Sequence, residues 1–168
     1  IEFIRQRKHE NLFLHENGLL YANGTDKAIT WMNSTVNGHP VIPRTGYIVE
    51  FNALWYNALR FVADLVREDG NVLLADALDA QAEVTGKSFI EVFRNEYGYL
   101  LDYVDGNMMD WSVRPNMIFA VAFDYSFGRH ALGRHAERVA DGEADHRAAG
   151  MFHQTLIDRH GFLRSPPR

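Results

Sequence analysis

The chain has 168 residues, enough for one domain with a substantial core. Its 46 % apolar and 23 % charged residues are ordinary for a globular protein, and a net charge of −5 argues against nucleic acid as a main partner. With no Cys, neither a disulfide framework nor a thiolate metal site can form, which is compatible with a reducing cytoplasm.

The start, IEFIRQRKHENLF, lacks the apolar block of a secretion signal, and with no initiator Met the expectation is a fragment or a processed product. No apolar run anywhere approaches the ~18 residues of a membrane span. Residues 1–14 show no clear period, and Phe3, Ile4, Leu12 and Phe13 suggest the end of a helix. Two Asn-Gly dipeptides in HENGLLYANGTD (15–26) favour tight turns with positive φ. Between them, Leu19, Leu20 and Tyr21 suit a short buried strand or anchor. VNGHPVIPRTG (36–46) holds two Gly and two Pro and reads as an ordered loop. The pattern predicts a long loop from about 15 to 46, and long loops in compact domains usually carry function.

From Val49 the spacing is helical: Phe51, Leu54, Trp55, Ala58, Leu59, Val62, Leu65 and Val66 recur at i, i+3, i+4 until Gly70. A second helix runs from Leu73 to Phe93, with an interruption expected at Thr85-Gly86. GYLLDYVDG (98–106), short and aromatic, suits a strand or extended connection. Pro115 then opens a third helix, Asn116 to about Phe123, because Pro costs no hydrogen bond in a first turn. With no βαβ alternation, the expectation is an all-α architecture with functional loops at one end.

Composition changes near Phe127. Residues 1–127 hold 10 Lys+Arg against 17 Asp+Glu, whereas residues 128–168 hold 7 Arg, no Lys and 5 acids. The expected division is therefore a principal unit, 1–127, and an atypical tail, 128–168. Five His lie in that tail (His130, His135, His146, His153, His160), but His130 and His135 are i, i+5 and do not stack on one helix face. With no H-E-x-x-H motif, no metal site is expected.

The chemistry concentrates between Thr30 and Arg60. Two Trp, several amides, one Arg and one Glu flank a helix start, a mix that suits a polyhydroxylated ligand. Aromatic faces stack on the apolar side of a sugar, while amides, carboxylates and guanidinium forks bind its hydroxyls. Glu50 is either a helix-dipole charge or a carboxylate facing a ligand beside Asn52, Trp55 and Tyr56. Trp55 also fits an apolar helix stripe, whereas Trp31 lies in a loop with Asn33 and Ser34, where sugar stacking competes with a core role. Arg44 is a clamp or a hydroxyl ligand. A second polar cluster holds Asp102, Asp105, Asp110, Arg114 and Asn116, in which Arg114-Pro115-Asn116 either caps a helix or joins the first cluster in one pocket. Paired carboxylates are what glycoside hydrolysis needs.

These residues carry a resemblance. Thr30-Trp31-Met32-Asn33, Pro43-Arg44-Thr45-Gly46 and Val49-Glu50-Phe51-Asn52-Ala53-Leu54-Trp55-Tyr56-Asn57-Ala58-Leu59 resemble the signature of the glucosidase domain of glycogen debranching enzymes, the amylo-α-1,6-glucosidases. GYLLDYVDG and Arg114-Pro115-Asn116 match in order and spacing, so the likeness covers about residues 15–124. It implies part of an (α/α)6 barrel of the six-hairpin glycosidase type, with long active-site loops and a short extended segment. It also implies a cytoplasmic enzyme that hydrolyses α-1,6-linked glucose at branch points of glycogen or a branched α-glucan. The mechanism implied is inverting, with two carboxyls and neither metal nor cofactor.

The resemblance marks Trp31, Arg44, Asn52, Trp55, Tyr56, Arg114 and Asn116 as sugar-pocket residues. The family's usual general acid, the Asp of T-W-M-D, is Asn33 here, and an amide cannot donate and recover a proton as an acid does. Glu50 and Asp105 are the candidate substitutes. Such a barrel needs roughly twice this length, and the likeness is expected to end near Phe127. A Lys-free, Arg/His/Ala-rich tail is what a GC-rich gene read in a shifted frame gives, an authentic alternative C-terminus being the rival reading. Other readings of the whole are a non-catalytic glycan-binding module, an inactive fragment, or a related helical-barrel glycosidase such as a trehalase-like enzyme.

Overall fold

In the computed structural model, residues 1–127 are the ones described. The chain begins with one helical turn, α1 (Glu2–Arg5), and enters β1 (Leu12–Leu14), so Leu12 and Phe13 belong to a strand and not to a helix end. Asn17-Gly18 makes the turn into β2 (Leu20–Ala22), with Gly18 at φ +79°. After an irregular stretch comes a two-stranded hairpin, β3 (Thr35–Val36) and β4 (His39–Pro40), and then β5 (Gly46–Ile48). Asn37 and Gly38 both have positive φ at the hairpin turn, as a tight two-residue connection requires.

Two long helices follow, α2 (Val49–Glu68) and α3 (Val72–Phe93). α2 buries Val49, Asn52, Ala53, Trp55, Leu59 and Ala63, and α3 buries Ala75, Leu78, Ala82, Thr85, Phe89 and Phe93. Small residues at 63, 75 and 82 let the helices approach closely. Gly70, at φ +84°, turns the chain between them, and the Asn71 side chain caps α3 by accepting from the Leu74 N–H at 3.2 Å. α3 runs unbroken through Thr85-Gly86. The helix keeps Gly86 because a Cβ there would press on the Tyr56 ring at 3.2 Å.

β6 (Tyr103–Asp105) and β7 (Met108–Met109) complete the sheet, and a 3-10 turn (Pro115–Ile118) leads into α4 (Phe119–Ala122). The third helix is thus present, with a tighter first turn than expected. The five strands are ordered β1-β2-β5-β6-β7, every neighbouring pair antiparallel.

This sheet overturns the all-α expectation, and with it the reading of the chain as part of an (α/α)6 barrel. The fold is mixed α/β. The physical reason is strand length. Strands of two or three residues show too little alternation to be told from loop. So β3, β4 and the start of β5 lie inside the expected loop, and only Leu19, Leu20 and Tyr21 and the stretch 98–106 suit short strands in the sequence. Along them Leu20, Ala22, Gly46, Ile48, Asp102 and Val104 are buried, while Tyr21, Tyr47 and Tyr103 between them are half-exposed. One cluster, with Leu19, Val49, Ala53, Phe89, Phe93 and Val104, fills the space between sheet and helices; a second, with Leu20, Trp55, Leu59 and Leu78, fills the α2–α3 seam.

Candidate functional site

Arg44 sits on the inner side of the strand that becomes β5, one alternation before Gly46 and two before Ile48. Six residues on, Glu50 occupies the first turn of α2, where the helix dipole favours a carboxylate. Their heads meet in a two-pronged ion pair, Nη1 to Oε1 and Nη2 to Oε2, the latter at 2.8 Å. Arg44 Nη2 also donates to Asp102 Oδ1 at 3.0 Å, joining α2 to the chain entering β6. All three residues are at most 2 % exposed.

Asp102 is the hub. Besides Arg44 it accepts from Asn116 Nδ2 at 2.7 Å and lies 3.5 Å from Arg114 Nη1, which also pairs with Asp110. Burial raises the Asp102 carboxyl above the usual carboxylate range, and Arg44, Asn116 and Arg114 pull it only part of the way back. Burial lowers the Arg44 guanidinium, but the Glu50 and Asp102 carboxylates outweigh it and leave it raised. Among the described residues Arg44 Nε has no partner, nor does the indole nitrogen of buried Trp55.

The network reaches the surface at Trp31 as well as at the partly exposed Arg114–Asp110 pair. Asn116, fully buried in the 3-10 turn, accepts from Trp31 Nε1 at 2.9 Å, and Trp31 is 60 % exposed. The loop is tied down at three successive residues: Thr30 Oγ1 accepts from the Met32 N–H, Trp31 bonds Asn116 Oδ1, and Met32 Sδ lies 3.6 Å from Asn116 Nδ2. Asn33 comes next and is exposed. An indole so fixed offers a flat apolar face beside an amide, the equipment for gripping a sugar ring.

The structure therefore gathers Trp31, Arg44, Glu50, Arg114 and Asn116 into one connected system and sets the other sequence candidates elsewhere. Asn52, fully buried, accepts from the Leu20 N–H and donates to the Leu20 and Ile48 carbonyls, fastening β2 to α2. Trp55 lies in the helix seam, and Tyr56 stacks on Phe127 at 4.3 Å. Asp105, on the opposite side of the sheet from Asp102, accepts from the Tyr21 hydroxyl at 3.0 Å. Asp102 had been counted only as a member of the second polar cluster. Its signal was a carboxylate two residues from Leu100 and two from Val104, an inward position of a strand.

The histidine-rich tail lies outside the described residues. Among the described residues no group of three or more His, Asp or Glu is arranged to hold a metal ion. No helix among them is long and apolar enough to cross a membrane. No curated protein and no solved structure matches the chain. A family profile, amylo-alpha-1,6-glucosidase, matches residues 3–141 and so extends beyond the composition change at Phe127 where the likeness was expected to stop. The motif T-W-M-N, the fork of Arg44 on Glu50, and Arg114-Pro115-Asn116 lie within that match, and the chain belongs to the amylo-alpha-1,6-glucosidase family.

Proposed function

We propose that the chain forms the sugar-gripping part of a glycosidase that removes α-1,6-linked glucose at branch points of glycogen or a related α-glucan. The observation that carries this reading is the exposed Trp31 face, held by its N–H against a fully buried amide. Within it Trp31 stacks on a glucosyl ring, Asn33 bonds its hydroxyls, and Arg114 lends positive charge at the edge of the network. Glu50, held by Arg44, sets the local field.

Inverting hydrolysis needs one carboxyl to protonate the leaving oxygen and another to activate water on the opposite face. Asn33 cannot fill the first role. Glu50 is closed off by the Arg44 fork, and Asp105, bonded to the Tyr21 hydroxyl, lies on the opposite side of the sheet from the Arg44 network. This placement of the two carboxyls favours a second reading, a glycan-binding module that keeps the grip without the acid. Glucose release from a branched limit dextrin separates the two. If the enzyme reading holds, the chain releases glucose and Asn33→Asp raises the rate, since a positioned general acid contributes about 10²–10⁴-fold. Dextrin binding with no release by either protein would leave the binding module.

A further inference from the structure

Asn116 is fully buried and cannot touch a ligand, yet both ends of its amide are engaged by different partners. Nδ2 donates to Asp102 Oδ1 at 2.7 Å, and Oδ1 accepts from Trp31 Nε1 at 2.9 Å. An ionised carboxylate is acceptor-only and an indole N–H is donor-only, so a side chain bridging them must donate at one end and accept at the other. Asn does this at the length available. Asp has no donor when ionised, and Leu has neither group.

We propose that Asn116 is a positioning residue that sets the angle of the Trp31 indole, and that the direction of its amide is dictated by Asp102. This rests on the reading of Trp31 as a glucan platform. Asp102 is itself held by Arg44, and Arg44 by Glu50, so the rigid start of α2 is linked through four side chains to an exposed ring. Pre-setting the ring spares the ligand the cost of ordering it, which places the effect on affinity. Met32 Sδ beside the same amide nitrogen gives the loop a second, softer restraint.

The test uses the three tryptophan indole N–H signals in a ¹H–¹⁵N spectrum of the full chain, that of Trp31 assigned by its loss in Trp31→Phe. In the parent chain the Trp31 signal is shifted and protected from exchange by its bond. In Asn116→Leu it moves to the position of a free indole and exchanges rapidly, while the signal of buried Trp55 stays in place and reports an intact fold. Should Asn116→Leu fail to fold, Trp31→Phe removes the same hydrogen bond from the exposed side and leaves the buried network whole.

Titration with a branched limit dextrin supplies the second readout. Loss of one hydrogen bond weakens binding about threefold to tenfold. Asn116→Leu and Trp31→Phe each show this loss, and the double variant shows no more than either alone. An unmoved Trp31 signal in Asn116→Leu would overturn the proposal, as would, where Trp31→Ala weakens binding, full affinity in Trp31→Phe or additive losses. If Trp31→Ala binds dextrin as the parent does, the glucan reading fails, and the indole signal alone decides whether Asn116 holds the ring.

Discussion

At the scale of single residues, the centre of the molecule is one guanidinium serving two carboxylates. Arg44 neutralises Glu50 and shares Asp102 with Arg114; without it Glu50 would be a buried, unpaired charge and Asp102 would keep only the longer contact to Arg114. Removing one partner of such a group costs far more than the intact group contributes. Arg44→Met should therefore lower unfolding stability by about 3–5 kcal/mol, measured as a fall in the urea midpoint. A loss below about 1 kcal/mol would show that the network is solvated and not buried.

Asp102 gives the pH dependence. Its folded pKa lies above its unfolded value, so the stability it contributes is full at low pH and is lost as pH rises through the folded value. Asp102→Asn deletes that term. Any deficit of the variant should narrow as pH rises from about 4, the unfolded carboxylate value, towards neutrality, because only the parent loses the stability that the neutral Asp102 contributes. Urea titrations at the two ends of that range check it; a deficit that widens would mean that the guanidiniums, and not burial, govern the carboxyl.

At the scale of elements, the segment from Arg44 into β5 is pressed between two neighbours with no room for a side chain at Gly24 or Gly46. A Cβ on Gly24 would lie 2.2 Å from the Arg44 carbonyl oxygen, and one on Gly46, at φ +104°, would lie 2.2 Å from the Val104 carbonyl oxygen. Both obstacles are backbone and cannot swing aside. Gly46→Ala should cost more than about 1 kcal/mol, since it adds steric conflict to an unfavourable φ. Calorimetry would register it as a clear drop in Tm, whereas a Tm near the parent's would mean that β5 and β6 separate easily.

The same elements show what could be read from sequence. α2 and α3 were legible because each repeats its apolar positions over five turns or more, and Asn71 after Gly70 marks the joint between them. The sheet was not. β2 contributes Leu20-Tyr21-Ala22 and β5 Gly46-Tyr47-Ile48, three residues each, and their pairing spans more than twenty residues of intervening chain. The polar network was legible in residue type: Trp31, Arg44, Glu50, Arg114 and Asn116 all enter it. What spacing could not supply was burial, which turns Asn116 from a ligand contact into a support for Trp31 and makes Asp102, not Asp105, the carboxylate that joins the two polar clusters.

At the scale of the whole molecule, one side of the sheet packs on the helices and holds the ionic network. The other carries Tyr21, Tyr47 and His15 in ring-to-ring contact, with Asp105 at the Tyr21 hydroxyl. The acid candidate Asp105 and the Arg44 network are thus divided by the sheet. This division is why the role proposed for the Trp31 side is glucan binding and not proton transfer. Exposed Leu54, Phe61 and Leu65 follow one another along α2 at helical spacing and form an apolar line.

The central claim is that Trp31, fixed from beneath, is where this chain takes hold of a branched α-glucan. Equilibrium binding of a branched limit dextrin to the parent chain and to Trp31→Ala tests it most directly. Because Trp31 is largely exposed, the substitution should leave the fold intact. The expected result is saturable binding by the parent and a loss of about tenfold or more in Trp31→Ala, the scale of a removed aromatic anchor. Equal affinity in the two proteins, or no binding by the parent, would contradict the account.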